Sequence, residues 1–510
     1  MTLSVRLPRV ERLPHAAAVS LACVALLALP ACRIPGLRTA EAGPVLPGEF
    51  TAAANPGAAV APANTAESSA QLGIDEFYND PLLTGLIRQA AANNRELKIL
   101  DQEIEVARNE VLARRGAYLP LVTVVAGGGF DKSSRYTRDG AVEDQLTIAP
   151  DRFFPNPVPN ATLGLDFLWR LDIWRALRNA RDAAQQRFAA AVERRNAFVT
   201  RLVADVAENY YRLLALDKRL ETLDQTIAIQ QQSLEIAKAR KEAGRGTELP
   251  VQRFHAEVRR NQSEKLIVTQ EVVEAENRVN VLANRYPQPV ERASAGFLDV
   301  TFSALGVGVP SQLLLNRPDV RQAEREVQAS GLDVLSARAR FYPDVTITAG
   351  LGTTAFSPRY MFMTPEALVA NVAGGVVAPL INRNAIKAEY LSANARQLEA
   401  VYNYQRVVLT AFTEVINRVS MAENYRKSLQ IKRQQLESLE ASVEVATKLF
   451  QSARVEYVEV LLAQRDLLEA RTVVIETKRQ QLSAIVNAYQ ALGGGDLLTT
   501  PARVAPAPVR

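Results

Sequence analysis

Between Trp174 and Ala243 the chain contains neither proline nor glycine. Within that stretch Leu202, Val206, Asn209, Leu213, Leu216, Leu220, Leu223 and Ile227 follow one another at alternating spacings of four and three. A seven-residue repeat held this long predicts helices packed as coiled coils rather than an ordinary helical core. Roughly 70 residues at 1.5 Å each make a helix about 105 Å long, several times the width of a small domain. The spacing returns at Val408, Ala411, Val415, Ala422, Tyr425, Leu429, Leu436, Leu439, Val443, Ala446 and Phe450, with Arg418 and Lys432 as its charged exceptions.

The helices belong to a duplicated unit. "LPLVTVVAGGG" (Leu119–Gly129) and "YPDVTITAGLG" (Tyr342–Gly352) lie 223 positions apart, with Pro, Val, Thr, Ala, Gly and Gly in register. A helix precedes each: Asp80-Pro81 opens the first and Arg317-Pro318-Asp319 the second, with proline at the first helical position. A second apolar run follows each, "ATLGLDFLW" (161–169) and "LVANVAGGVVA" (368–378), and then comes a long helix. From Asp172 to Gly246 is 74 residues, and from Ile381 to Val455 is also 74. The copies differ between their two apolar runs, where an exposed loop tolerates extra length.

Those short runs read as strands. Apolar and small polar residues alternate in "VTITAG", and Leu163, Leu165, Phe167 and Trp169 share one face. Each run is about 10 residues, the length of a tilted transmembrane strand. Tyr118, Phe130, Trp169, Tyr342 and Phe356 stand at the ends, where a membrane-interface girdle places aromatics. One isolated run of this kind would suit a soluble sandwich. Four, in a chain without an 18-residue apolar helix, favour a membrane barrel, because only helices and closed barrels pair every backbone donor in lipid. Four strands cannot close a barrel, so the chain must oligomerise.

The N-terminus predicts export. Arg6, Arg9 and Arg12 precede the apolar run "AAAVSLACVALLAL", and "LPAC" follows. We read 1–31 as a signal peptide and Cys32 as a lipidated first residue, although Pro30 departs from the usual lipobox. Cys23 and Cys32 are the only cysteines, so no disulfide framework exists. His255 alone would survive processing; it sits in a helical pattern, and neither a thiolate nor a multi-histidine metal site is possible. No phosphate loop or nucleophile motif occurs. The 60 basic and 55 acidic residues are interspersed, which gives no nucleic-acid patch. The remaining boundaries are a Pro/Ala-rich arm at 32–70, a first repeat at 71–310, a second at 311–492 and a flexible tail at 493–510. Within the repeats, strands are expected at about 119–130, 160–169, 342–356 and 368–379, and long helices at about 174–285 and 384–492.

The segments "WRLDIWRALRNARDAA", "LLLNRPDVRQAEREVQA", "ARARFYPDVTITAGLG" and "YVEVLLAQRDLLEA" resemble outer-membrane efflux proteins of the TolC superfamily, in the lipoprotein branch typified by OprM and NodT. The resemblance covers about residues 72–492. It implies a mainly α fold with a membrane β-barrel: a homotrimer whose 12-stranded barrel, four strands per chain, continues into a long α-helical barrel. It further implies an exit duct in the outer membrane and periplasm of a Gram-negative bacterium, with no catalysis and no cofactor beyond the Cys32 lipid. The partners would be outer-membrane lipid, a periplasmic membrane-fusion adaptor and an inner-membrane transporter of the RND type. Arg245, Gly246 and Thr247 would form one adaptor-contacting tip, and Arg454, Val455 and Glu456 the other. The family narrows its periplasmic entrance with a motif like "DVLDA"; here Glu459 keeps the first acid and Leu462 replaces the second. Ala453 and Pro250 stand where glycine and aspartate are usual. The alternatives are a duct for type I protein secretion and a periplasmic coiled-coil scaffold lipoprotein.

Overall fold

The computed structural model describes residues 34–48, 50, 68–149, 151–302, 306–379, 383–452 and 454–495; Cys32 and Ala453 lie outside them. Two compact units emerge. One holds Leu112–Ala183 and Ser330–Leu398 with the chain up to Thr39, and carries the strands. The other, helical unit holds Ala40–Val111, Ala184–Ala329 and the chain from Glu399.

The duplication is visible in element lengths. In chain order the helices are α1 (Ile74–Tyr78), α2 (Pro81–Asn93), α3 (Arg95–Gly116), α4 (Arg138–Glu143), α5 (Ala176–Glu242), α6 (Glu248–Leu282), α7 (Gln312–Asn316), α8 (Pro318–Ala339), α9 (Asn384–Gln451) and α10 (Tyr457–Ala491). α3 and α8 each have 22 residues, α5 and α9 have 67 and 68, and α6 and α10 each have 35.

The start of the first repeat differs from the sequence expectation. Asp80 does cap α2, accepting from the Leu82 and Leu83 amides at 2.9 and 3.2 Å. That helix stops at Asn93, because the side chain of Asn94 turns back as a second N-cap. Its Oδ1 accepts from Glu96 N at 2.9 Å and its Nδ2 donates to the Leu282 carbonyl at 2.9 Å. The partner of α8 is therefore α3, not the helix opened by Pro81.

All four long helices end alike. Arg245 N donates to Arg240 O, Arg285 N to Asn280 O, Arg454 N to Leu449 O and Gly494 N to Tyr489 O, each at 2.9 Å. These are the six-to-one closures of a Schellman turn, which needs one left-handed residue. Gly244 (φ +70°) and Gly493 (φ +95°) supply it in two cases, and Asn284 (φ +51°) in a third. Pro250 falls in the first turn of α6, where its missing N–H removes no helical bond.

About half of the residues that define the seven-residue register are fully buried, and the rest are half-buried. Leu202, Val206, Leu213, Leu216, Leu223 and Ile227 are buried on α5, as are Ala411, Val415, Ala422, Leu429, Val443 and Phe450 on α9. Leu83, Ile87, Tyr210, Phe297 and Tyr489 form the largest cluster of the helical unit. There Phe77 stacks on Tyr489 at 3.9 Å, and the Tyr489 hydroxyl donates to the Leu72 carbonyl at 2.7 Å.

The described residues of the arm and of the tail are better packed than composition suggests. In the arm, Arg38 N donates to Asn394 Oδ1 at 3.0 Å, and Asn394 Nδ2 returns a bond to Arg38 O at 3.1 Å. Phe50, the arm's one aromatic residue, stacks on Phe412 at 5.4 Å, and Ser68–Ala70 are buried. The tail, expected to be flexible from 493, keeps Gly493–Gly495 buried. A side chain on Gly494 would meet the Tyr489 ring at 2.3 Å, so this stretch is packed tightly against the core.

One buried charge makes the helical unit pH-sensitive. Lys478 on α10 is 4% exposed and donates to the Val300 carbonyl at 2.6 Å. Burial, with the Arg433 charge nearby, pushes its amine down from 10.5 to about 8. Between those pH values the unfolded chain carries a proton that the folded chain lacks, so stability rises with pH across that window. Relative to Lys478→Met, the native protein should gain about 1–3 kcal/mol between pH 8 and 10.5. Denaturant unfolding of both proteins at the two pH values checks this; a constant difference would contradict it.

Candidate conduction surfaces

The strand-bearing unit holds one four-stranded antiparallel sheet. Its strands β1 (Leu121–Asp131), β4 (Val158–Leu171), β5 (Asp344–Ala355) and β6 (Leu368–Val377) are in the order β1-β4-β5-β6. A separate small hairpin, β2 (Thr147–Ala149) and β3 (Arg152–Phe153), lies in the longer first loop. Pro120 and Pro343 stand just before β1 and β5, each of which starts two residues later than the periodicity suggests.

Register sorts every side chain onto one of two faces, because directly paired residues point the same way. Val122, Val124, Ala126, Leu163, Leu165, Phe167, Ile347, Ala349, Leu351, Ala370, Val372 and Val376 share one face, and it carries no charge. Val124 is 73% exposed and Val372 81%, a continuous apolar surface that water would penalise. The opposite face holds Thr123, Asp166, Arg170, Thr346, Thr348 and Asn371, with Gly127, Gly129, Gly164, Gly350, Gly352 and Gly375 between them; Leu121, Val125, Leu168, Val369 and Val377 also lie on it, so it is mixed where the first face is apolar throughout its centre. Among the described residues β1 and β6 each have one unpaired edge.

Below the strands a collar fixes the passage from strand to helix. Trp169 Nε1 donates to the Tyr118 carbonyl at 3.1 Å, and Arg170 pairs with Asp344 at 2.7 Å. Asp172 accepts from the Leu177 and Arg178 amides at 3.0 and 2.9 Å, capping α5. Trp174 donates to the Pro343 carbonyl at 2.9 Å and stacks on Tyr342 at 4.7 Å. Arg181 reaches the Tyr118 hydroxyl at 3.2 Å. The "WRLDIW" stretch thus ends β4 and, through Asp172 and Trp174, sets the turn into α5. At the other end of the sheet Phe130 is 75% exposed, and Phe356 meets Phe154 and Tyr360, both at 5.1 Å. Two of the aromatics singled out by position, Tyr342 and Phe356, therefore pack on partners that the sequence did not flag: Trp174, Phe154 and Tyr360.

In the helical unit the two tips pack on one cluster. Leu234, Ala237, Phe254, Phe450 and Val460 are buried together, and Val455 packs against them. Arg240 holds the two hairpins to each other: its guanidinium lies 4.7 Å over the Phe450 ring and donates to the Phe450 carbonyl at 3.1 Å. Lys241 pairs with Glu248 and, with Gln252, holds that carboxyl below its usual range. Arg245, Gly246, Thr247, Arg454 and Glu456 are exposed. Glu459 and Leu462 are exposed on α10, one turn apart. Asp466, which the motif comparison passes over, lies seven residues after Glu459 and so within about 20° of it around the helix. His255 is exposed on α6. No helix among the described residues is long and apolar enough to cross a membrane.

The chain belongs to the outer membrane efflux protein family, which it matches over residues 86–285 and 309–494. It is 27% identical over 426 residues to the toluene efflux pump outer membrane protein TtgF of Pseudomonas putida, across 84% of this chain and 86% of that one. It is 25% identical over 473 residues to the cation efflux system protein CusC of Escherichia coli, across 93% and 98% of the two chains. Its fold matches the open state of the Neisseria gonorrhoeae MtrE outer membrane channel with a TM-score of 0.77, at 22% identity, covering 91% of this chain and 98% of that one. The family is one of efflux ducts rather than enzymes, and it places this protein in the outer membrane as an efflux channel.

Proposed function

We propose that three copies close a 12-stranded barrel and form the exit duct of a tripartite pump. The observation that carries this reading is the sheet: its apolar face suits lipid, and its free β1 and β6 edges need strand partners that lipid cannot replace. The polar, glycine-rich face then lines the lumen, where missing side chains relieve crowding on the concave side of a tightly curved sheet. Cys32 carries the lipid anchor. The exposed tips at Arg245–Thr247 and Arg454–Glu456 meet a periplasmic adaptor, and an RND-type inner-membrane transporter delivers the cargo. The cargo is small molecules, as the toluene and cation pumps of the relatives suggest; selection among them rests with the inner-membrane partner.

Glu459 acts at the periplasmic constriction. Three copies hold a negative potential in a narrow mouth and favour cations, while Leu462 narrows it without charge. Glu459→Gln should lower cation-over-anion permeability by roughly two- to fivefold. The reversal potential of the purified protein in planar bilayers, under a salt gradient, reads this directly. An unchanged reversal potential would remove Glu459 from the pore.

A further inference from the structure

Four charged residues occur in the four main strands: Asp131, Asp166, Arg170 and Asp344. Asp131 ends β1, and Arg170 and Asp344 pair with each other at the collar. Asp166 alone lies well inside the strands, three residues from the girdle Trp169 and eight from the start of β4. It is exposed on the polar face of the sheet.

Its neighbours form one row across all four strands. Thr123 pairs with Asp166, Asp166 with Gly350, and Gly350 with Asn371. A side chain at Gly350 would lie 2.7 Å from Asn371 Oδ1 and 3.2 Å from Asp166 Oδ1. The carboxylate and the amide oxygen therefore both lean over the one position that has no side chain. The row offers a carboxylate, an amide and a hydroxyl on the same face and no basic group.

We propose that this row, repeated three times around the barrel, is a second cation-selecting belt on the exit side of the duct, separate from Glu459; this rests on the reading of the polar face as the lumen. A charge at this depth is costly unless it faces water, and rings of acidic side chains are how pores favour cations. Within a lumen whose radius is near the screening length of about 8–10 Å, three such carboxylates add their fields. Multivalent cations should bind there from the outer side, and the belt should slow the exit of anions.

The test uses the purified full-length protein in planar bilayers, with hexaamminecobalt(III) added to one side at a time. In the native protein the cation blocks current from both sides. Asp166→Asn should weaken the block from the loop-bearing side about tenfold and leave the tip side unchanged, with Glu459→Gln doing the reverse. Asp166→Glu should keep the outer block, which a purely structural role for the carboxylate does not predict. Outer-side block unaltered in a conducting Asp166→Asn protein overturns the belt and leaves the duct standing. A native protein that carries no current in any preparation overturns both.

Discussion

Gly352→Val is expected to disrupt the sheet at the seam between the two repeats. A side chain there would stand 2.6 Å from the Leu163 carbonyl oxygen and 2.7 Å from Gly164 Cα. Both are backbone atoms of β4, so no rotamer change relieves the contact. β4 and β5 run in register over eleven pairs from Ala161–Ala355 to Leu171–Val345, and Gly164 faces Gly352 in that ladder. Forcing the strands apart should cost about 3 kcal/mol, the upper range for overpacking. Gly374→Val is the matched control, since nothing lies within 4 Å of a side chain at that position. The fraction of heat-modifiable oligomer recovered from membranes should fall sharply for the first variant and hold for the second. Equal recovery would mean that β4 and β5 do not approach as closely as described.

The second large effect separates the two faces with adjacent residues. Val372 lies on the charge-free face and Asn371 on the polar one. Val372→Arg should destabilise the protein in lipid by about 2–4 kcal/mol, the range for a basic residue on the lipid face of a barrel. Asn371→Arg should cost far less, because the new guanidinium sits in water beside Asp166. Unfolding of the reconstituted protein in urea measures both. If the two arginines cost the same, the assignment of lipid and lumen faces fails.

Much of the architecture could be read from the letters because its periods are strong. The four-three spacing on α5 and α9 marks the buried and half-buried faces, and the equal 74-residue intervals reappear as helix pairs of matched length. The alternation around Leu163, Leu165, Phe167 and Trp169 already implied that Asp166 points the other way, yet a single acid in an apolar run draws little attention without its register partners. What stayed hidden depends on contacts between distant segments. Arg240 looks like any solvated basic residue until Phe450 is placed beneath it. Asn94 looks like an interior helix residue until its amide finds Leu282, 188 positions away. Phe50 is an isolated aromatic in a Pro/Ala-rich arm until Phe412 meets it. The Glu459 motif pointed to one turn of α10, and helix geometry adds Asp466 to the same face.

The central claim is that β6 of one chain pairs with β1 of the next. Cys23 and Cys32 are the only native cysteines and precede the strands by more than 80 residues in the sequence, so introduced pairs report cleanly. Cysteines placed one at a time at Val122, Val124 or Ala126, each combined with one at Ala370, Val372 or Gly374, sample the possible registers on a single face. Mild oxidation of intact membranes, followed by non-reducing electrophoresis, should give dimers and a terminal trimer band for at least one combination, all collapsing to monomer on reduction. Monomer alone in every combination, or a ladder running past the trimer, would contradict the three-chain barrel.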